Sequence, residues 1–212
     1  MVGRIVSRAK QRGLLVEPLL QKVHASKRLR PPRLYAIRKP KDYQPSQPGD
    51  LVQIDTVDLR LAPRSILKQF TARDVVSRWD VVEVHRRATS TAASLFLKTL
   101  LARAPFPIRA IQVDGGSEFH AVFEQACQQL GLRLFGLPPR SPKLNGAVER
   151  ANRTHSEEFY EVTPCSLRVD TLNQELRDWE TIYNTVRPHQ ALGYLTPKEF
   201  LASLNQPPSK CH

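Results

Sequence analysis

Two aspartates occupy positions in predicted strands that indicate a chemical role for the acidic side chain. Residues 50–60 have the apolar, β-branched character of a strand, and Asp55 stands in the middle of it. A carboxylate inside such a strand costs free energy unless it has a partner, so Asp55 is either a satisfied structural acid or a ligand. Asp114 ends a second predicted strand, residues 108–114, and two glycines follow it. Because ligands of open α/β sheets gather at the carboxyl ends of strands, Asp114 is a candidate for the same site.

A third acid, Glu149, follows a loop rich in proline and glycine, residues 136–146. A helix is predicted to begin there, with Asn145 as its N-cap. Apolar residues recur at steps of three and four and form a stripe: Val148, Ala151, His155, Phe159 and Val162. Glu149 lies about 100° from this stripe, which predicts a place at the rim of the core and not in open solvent. Glu149 is therefore either an ordinary surface acid or a third ligand.

These three acids fit one metal site. If the strands that carry Asp55 and Asp114 are central neighbours, the two carboxylates lie side by side and Glu149 closes the third side. Acids without basic partners repel one another, and divalent cations remove that repulsion. Hard oxygen ligands suit Mg²⁺ or Mn²⁺, which also bind phosphates. Asp50 and Asp58 compete for a role in the site, but both lie nearer the ends of their strand.

The elements that position these acids are strands followed by alternating helices and strands. Three successive strands predict an antiparallel meander, and Thr89 or Ser90 caps the helix that follows. The predicted strands cover residues 50–60, 66–76, 79–85, 108–114 and 132–135. The predicted helices cover residues 90–103, 118–130, the Glu149 segment and 170–186. The order β-β-β-α-β-α-β-α-α predicts an α/β fold.

The segments around the acids resemble a known family. QIDTVDL, QVDGGSEF and SPKLNGAVERANRT resemble the three motifs of the retroviral-integrase-like transposases of bacterial insertion sequences. Asp114 and Glu149 lie 35 positions apart, the typical spacing in the Asp–Asp–Glu triad of that family. The tail YNTVRPHQALGYLTP resembles the segment that closes the catalytic domain of those enzymes. The likeness covers residues 48–200 and implies a ribonuclease H-like fold, with a mixed five-stranded sheet flanked by helices.

The resemblance also implies a reaction. It implies a polynucleotidyl transferase that cleaves DNA and transfers the strand with two Mg²⁺ or Mn²⁺ ions, in which Asp55 bridges both ions and Asp114 and Glu149 bind one each. The implied partners are the ends of the mobile element and the target DNA. At least a dimer is expected, because two DNA ends must be processed together. A prokaryotic, cytoplasmic location at the nucleoid is expected, without membrane association.

Four polar residues near Glu149 are predicted to contact DNA, and an ordinary polar surface role is the alternative for each. They are Lys143, Asn145, Arg150 and Arg153. Two positions depart from the family pattern. Gly115 stands where many members have Asn, and Ser156 stands where many have Lys or Arg. Arg153, on the same helical side as Glu149, is expected to make the DNA contact in place of residue 156. His120 and His155 are expected to be structural.

Positive charge is concentrated near the N-terminus. The chain of 212 residues has a net charge of +12, and residues 1–49 hold 12 Lys and Arg against 2 Asp and Glu. Such an arm suits a phosphate backbone, although a solvated segment is the alternative. The three cysteines are widely spaced and no Cys/His cluster exists, so neither a disulfide framework nor a structural zinc site is indicated. No apolar run approaches the roughly 20 residues of a membrane span.

Four segments are predicted along the chain. Residues 1–23 are either a helix-turn-helix remnant or a terminal helix, and residues 24–49 are a basic, proline-rich linker. Residues 50–205 form the catalytic core, and residues 206–212 a flexible tail. A complete helix-turn-helix is expected to be absent. Two other functions stay open: an inactive DNA-binding remnant of a transposase, and a nuclease of the same fold that cuts without joining.

Overall fold

The computed structural model describes residues 7–8, 10–14, 33, 35–63, 65–138 and 142–204, with only the backbone at positions 142 and 143. The chain divides into two units, Met1–Pro32 and Arg33–His212. Four residues of the first unit, at positions 7, 8, 10 and 11, are helical. Most of the predicted N-terminal helix and the whole predicted tail at 206–212 lie outside the described residues.

Five strands of the second unit form one mixed sheet. They are β1 (Val52–Ala62), β2 (Ser65–Asp74), β3 (Asp80–His85), β4 (Ala110–Val113) and β5 (Arg133–Gly136). Their order across the sheet is β3-β2-β1-β4-β5. The antiparallel pairing of β1 with β2 and of β2 with β3 confirms the predicted meander. β4 pairs in parallel with both β1 and β5, so β1 and β4 are central neighbours, as a shared acidic site requires.

Helices flank this sheet. They are α1 (Ser90–Arg103), α2 (Val122–Gln129), α3 (Gly146–His155), α4 (Val169–Thr185) and α5 (Pro197–Leu204). The predicted cap of α1 is confirmed, because the Thr89 side chain accepts a hydrogen bond from the backbone N–H of Ala92. The sequence did not predict α5. None of the described helices is long and apolar enough to cross a membrane.

Two helix predictions needed correction. The single helix predicted over residues 118–130 is a 3₁₀ turn, Ser117–Phe119, followed by α2, because Ala121 between them has a φ of 47° that no helix tolerates. The apolar stripe of α3 is buried as far as Phe159, but Val162 is 68% exposed. A π-helix, Ser156–Tyr160, continues α3 and ends before Val162, so the helical period no longer applies at that residue.

The two faces of the sheet have different chemistry. One face carries apolar residues such as Ile54, Phe70 and Val113, which pack with α1 and α2 in the main core. Because side chains alternate along a strand, Gln53 and Asp55 project from the opposite face. On that face a second, smaller apolar cluster packs the sheet against α4. The polar side chains of the sheet therefore lie on the side that α3 and α4 cover.

Side chains of α4 pair with the outer edge of β3. The backbone N–H groups of Asp80, Val82 and Val84 donate to Asn184 Oδ1, Glu180 Oε2 and Asn173 Oδ1 at 2.9, 3.0 and 2.7 Å. The amides of Asn184 and Asn173 donate back to the carbonyls of Asp80 and Val84 at 2.8 and 2.9 Å. The helix thus satisfies polar groups that an edge strand leaves open.

The opposite edge of the sheet is also covered. Ile37 forms a parallel bridge with Phe135 of β5. The N–H of Ile37 donates to the Leu134 carbonyl, and the N–H of Gly136 donates to the Ile37 carbonyl, both at 2.9 Å. The hydroxyl of Tyr35 donates to the Leu132 carbonyl at 2.7 Å. The end of the segment predicted as a linker therefore runs along the core beside β5.

Candidate functional site

Parallel pairing of β1 with β4 brings Asp55 and Asp114 together. Gln53 lies opposite Gln112 and Ile54 opposite Val113, so the next residue on each strand is one of the two aspartates. Both aspartates are half-buried, and Asp114 lies directly after the end of β4. Since alternate residues share a face, the glutamine pair and the aspartate pair project from the same side of the sheet. The predicted side-by-side placement of the two acids is thus present.

Asp55 is held in an acidic environment. Burial raises the pKa of Asp55 to about 6, and the negative charges of Asp114, Glu149 and Glu118 act in the same direction, against a lowering by the Thr56 backbone N–H. The charged groups that act most strongly on this carboxylate are therefore all acidic. Three of the acids are the predicted triad, and Glu118 is a fourth member. Such a group attracts cations.

Hydrogen bonds fix both aspartates in orientation. Asn152 Nδ2 of α3 donates to Asp55 Oδ2 at 2.9 Å. Gln69 Nε2 of β2 approaches Asn152 Oδ1 at 3.4 Å, and the Tyr160 hydroxyl donates to Gln69 Oε1 at 2.6 Å. Asp114 Oδ1 accepts the backbone N–H of Gly116 at 2.8 Å, in the tight turn that the two glycines form. Uncharged donors therefore hold both aspartates in orientation without neutralising the negative charge of the carboxylates.

The start of α3 is anchored to the sheet by the glutamine pair. Gln53 Oε1 accepts the N–H groups of Ala147 and Val148 at 3.1 and 3.2 Å. Gln53 Nε2 and Gln112 Nε2 both donate to the Leu144 carbonyl, at 2.9 and 2.7 Å. Gln53 therefore satisfies N–H groups that the first turn of a helix leaves unpaired. Asn145 occupies the predicted N-cap position, but its side chain does not make the expected capping hydrogen bond.

Glu149 lies in the first turn of α3 and is exposed. The expectation of a place at the rim of the core was wrong, since one step of the helix carries the side chain further out than the stripe suggested. Its charge nevertheless acts on Asp55, and Asn152, three residues further along α3, touches that aspartate. Glu149 thus stands over the aspartate pair on the solvent side.

The four predicted DNA contacts have different surroundings. Arg150 is exposed, and Arg153 is exposed and pairs with Glu157 at 2.6 Å. Asn145 is only 4% exposed, and its Oδ1 atom is buried without a partner among the described residues. The side chain of Lys143 lies outside what the structure describes.

Behind α3 lies a buried ionic network that serves packing. Arg73 donates to both carboxylate oxygens of Asp80 at 2.6 Å. His155 Nε2 lies 3.4 Å from Asp80 Oδ2, and Trp179 Nε1 donates to His155 Nδ1 at 2.9 Å. Burial alone would raise the pKa of Asp80, but the charge of Arg73 and the hydrogen bond from His155 outweigh it and hold that pKa below its ordinary value. The expected structural role of His155 agrees with this fully buried position.

The competing aspartates of β1 have partners of their own. Asp58 pairs with Lys68 across the strands. Asp50 accepts the N–H groups of Ser46 and Gln47 and pairs with Arg109 at 2.8 Å. Asp50 and Asp58 each have a basic partner that balances their charge, whereas Asp55 has none among the described residues.

The donor set suits a hard divalent cation. Carboxylate oxygens are the ligands that Mg²⁺ and Mn²⁺ prefer, and the acids around Asp55 supply an excess of negative charge. Within the described residues, no three His, Cys, Asp or Glu side chains are grouped so that they could hold a metal ion as they stand. The residues therefore fit a cation in type and charge, while the described arrangement is not a closed ligand cage.

Sequence reasoning missed four residues of this site: Gln53, Gln112, Glu118 and Asn152. Each lies inside or beside a motif. Gln53 and Gln112 lie two positions before an aspartate, Glu118 lies four positions after Asp114, and Asn152 lies three after Glu149. The period of two along β1 and β4 was the available signal for the glutamines, since it places them on the face of the aspartates. Nothing local indicated that they would bind the start of α3.

Comparison with known proteins agrees with this geometry. Residues 130–197 match the family model "Integrase core domain". An insertion element IS476 protein of 39.2 kDa from Xanthomonas euvesicatoria is 27% identical over 163 residues, which are 74% of this chain and 46% of that protein. The transposase InsD for insertion element IS2A/D/F/H/I/K from Escherichia coli is 33% identical over 89 residues, 42% of this chain and 29% of that protein. The chain thus spans less than half the length of these relatives.

Solved structures share the fold. A chain of the simian T-cell lymphotropic virus intasome, determined in complex with PP2A regulatory subunit B56 gamma, superposes with a TM-score of 0.65 at 22% identity, over 84% of this chain and 60% of that one. The catalytic core domain of BIV integrase superposes with a TM-score of 0.57 at 24% identity, over 74% of this chain and 96% of that one. This chain therefore has the fold of an integrase catalytic core, and its residues 130–197 match the family model of that domain.

Proposed function

We propose that this chain is the core of a DNA transposase or integrase, which cleaves DNA with divalent cations and joins the cut strand to a target. One observation carries the proposal: Asp55 is half-buried beside Asp114, and its burial, together with the negative charges of Asp114, Glu149 and Glu118, raises its pKa to about 6. A site that gathers like charges at a strand end is suited to a cation and to the phosphate that the cation brings.

Asp55, Asp114 and Glu149 would be the residues that hold Mg²⁺ or Mn²⁺ ions. Bound ions of this kind supply Lewis-acid stabilisation of the charge on phosphodiester oxygens and on the attacking hydroxyl. Asn152 and the Gly116 N–H hold the two aspartates in orientation. Because a cation removes the repulsion between the acids, we expect the carboxylates to draw closer when one binds.

Basic residues beside Glu149 would position the DNA. Arg150 and Arg153 are exposed on the helix that carries it, and the Arg153–Glu157 pair is open to exchange with a phosphate because both partners face solvent. Lys143 is proposed for the same role because of its place in the loop. The burial of Asn145 favours a supporting role for its side chain within the turn before α3.

Assembly on DNA forms part of the proposal. Concerted transfer of two DNA ends needs two acidic sites, so we propose a dimer or a higher oligomer on the DNA, and a location at the nucleoid. Sedimentation velocity with and without a duplex that carries one element end tests the assembly. A complex in which a single protein chain holds two DNA ends would contradict the proposed oligomer.

The central experiment measures DNA cleavage and strand transfer. Labelled duplexes carrying the sequences that flank the gene are incubated with Mg²⁺, Mn²⁺ or EDTA, for the parent chain, Glu149→Gln and the control Glu161→Gln. Glu161 is an exposed acid on the turn that follows the π-helix. We expect cut and joined products with either metal, their loss in EDTA and in Glu149→Gln, and normal products in the control.

Other products would decide between the alternatives. Shortened DNA without joined products would identify a nuclease of the same fold. Equal DNA binding by the parent and by Glu149→Gln, with cleavage in neither, would identify a DNA-binding remnant.

A further inference from the structure

A second concave site lies beside α3, away from the aspartate pair. A cavity of about 700 Å³ is enclosed by the start of α3, the turn after β2 and the segment between α4 and α5. Four arginines line it: Arg73, Arg78, Arg150 and Arg187. No Asp or Glu is among the described residues of its lining. The cavity is therefore strongly basic.

Helix α3 separates this cavity from the acidic site. Gly146, Arg150 and Thr154, at intervals of four, line the cavity. Asn152, which binds Asp55, lies two residues from Arg150, or about 200° around the helix axis. The same helix therefore presents one face to the acids and nearly the opposite face to the arginines.

Two of the four arginines form no direct ion pair among the described residues. Arg73 is paired with Asp80, and Arg187 donates to both oxygens of Glu158 at 2.6 and 2.5 Å. Arg78 and Arg150 have no carboxylate within ion-pair distance in the described part of the chain, although Glu158 lies near Arg150 and both Asp74 and Asp80 lie near Arg78. Arg78 Nε is moreover buried without a hydrogen-bond partner in the described part of the chain. Burial and the nearby charge of Arg73 lower the pKa of Arg78, which an anion in the cavity would reverse.

A buried histidine supplies a second unpaired group in the cavity wall. His189 is only 8% exposed, and its Nε2 atom has no partner among the described residues. The positive charges of Arg187 and Arg73 add to its burial and lower its pKa to about 4, so the ring is neutral at pH 7. A neutral imidazole has one N–H to donate to an anion.

The backbone around the cavity is strained. Arg78 and Tyr194, which both line it, have φ values of 60° and 67°. Side chains other than glycine rarely adopt this conformation, and where it persists it often marks a functional position. Tyr194 is also 70% exposed, and places an aromatic ring at the cavity.

We propose that this cavity binds a phosphate group of a DNA strand through Arg78 and Arg150. A guanidinium matches a phosphate with two parallel hydrogen bonds, and the N-terminal end of α3 adds a favourable dipole. The ligand class rests on the proposed function, since it takes DNA as the substrate. Helix α3 would then carry Glu149 toward the phosphate that reacts and hold a second phosphate on its other side.

Salt-dependent DNA binding tests this site without catalysis. Anisotropy of a labelled duplex is measured in EDTA over a series of salt concentrations, for the parent, for Arg78→Gln/Arg150→Gln and for Arg87→Gln/Arg177→Gln. The control pair removes the same charge from exposed positions outside the cavity. We expect the cavity variant to bind about tenfold or more weakly than the control, and the slope of log Kd against log salt to fall by about 1 to 2.

Folding is checked separately. Arg150 is exposed, so Arg150→Gln alone should retain the parent's melting temperature and still lower the slope by about 1. Equal slopes for the cavity variant and the control would overturn the proposal. The proposal would also be overturned if millimolar inorganic phosphate stabilised the parent but not the cavity variant while both bound DNA equally well. The ligand of the cavity would then be free phosphate. Loss of cleavage alone would count against the proposed function and not against the cavity.

Discussion

Asn152 Nδ2 donates a hydrogen bond of 2.9 Å to Asp55 Oδ2, and this bond joins the helix that carries Glu149 to the strand that carries Asp55. The reverse connection is made by Gln53, two residues before Asp55, which accepts the N–H groups of Ala147 and Val148. Strand and helix are thus tied to each other at both ends of the site. This mutual support sets the geometry between acids that lie far apart in the chain.

Replacement of Asn152 should impair chemistry more than DNA binding. In Asn152→Ala, Asp55 loses its orienting donor, and loss of such a supporting group typically lowers metal affinity or activity by 10–100-fold. We expect the Mg²⁺ concentration for half-maximal DNA cleavage to rise by about that factor, and DNA affinity in EDTA to stay within about twofold. Gln174→Ala, at an exposed position of α4, is the control. An unchanged Mg²⁺ requirement would show that Asp55 needs no orientation by Asn152.

Gln53 should contribute to stability as well as to the site. Gln53→Ala leaves the N–H groups of Ala147 and Val148 and the Leu144 carbonyl with fewer partners in a mostly buried place. Such losses cost about 1–3 kcal/mol of unfolding free energy, measurable by urea denaturation. Gln125→Ala, at an exposed position of α2, should change it by less than about 0.5 kcal/mol. A Gln53 variant as stable as this control would mean that water satisfies the start of α3 equally well.

The buried pair of Arg73 and Asp80 should behave as a unit. Arg73→Met leaves a fully buried carboxylate without its main counter-charge, which typically costs about 3–5 kcal/mol. Arg73→Met/Asp80→Leu removes both charges, and we expect it to recover a large part of this loss in thermal or urea unfolding. If the double variant is less stable than the single one, the Asp80 carboxylate must be stabilised mainly by His155.

Glu180 should make stability depend on pH. Burial raises the pKa of Glu180 to about 7, while the Val82 N–H and Arg103 oppose the shift. Since the folded pKa lies above the ordinary value, the folded state binds the proton more tightly, and the stability that this supplies is lost as pH rises from about 4.5 to 7. Relative to Glu180→Gln, the parent should therefore lose about 1–3 kcal/mol of unfolding free energy between pH 5 and pH 8.

The control for this prediction lies on the same helix. Asp178 is exposed, so Asp178→Asn should follow the pH profile of the parent. Parallel profiles for the parent and Glu180→Gln over this range would refute the raised pKa.

The reliably predictable parts of this protein are those set by local pattern or by an energetic cost. Asp55 was identifiable because a carboxylate within a strand is costly, and Asp114 because it ends a strand before two glycines. The antiparallel meander followed from three successive strands. The missed contacts are long-range: Gln53 binds the carbonyl of Leu144, 91 positions away. No periodicity within β1 contains that information. Gln53 also explains why the Asn145 side chain makes no capping hydrogen bond, since Gln53 already occupies the N–H groups that Asn145 was expected to bind.

The exposure of Val162 has a different physical reason. A period of 3.6 residues predicts the buried face only while the chain remains an α-helix. The π-helix at Ser156–Tyr160 has a longer repeat, and it is followed by a turn. A change of helix type has no simple sequence pattern, so the predicted stripe ran one turn too far.

The covered edges of the sheet limit how copies of this protein can associate. Among the described residues, side chains of α4 occupy the backbone groups of β3, and Ile37 occupies those of β5. A strand from another copy therefore cannot extend the sheet at these two outer edges without displacing those contacts. Copies that assemble on DNA as proposed would then touch through other surfaces, and could separate again without unravelling a shared sheet. The fold thereby permits a high local concentration while opposing growth into a fibre.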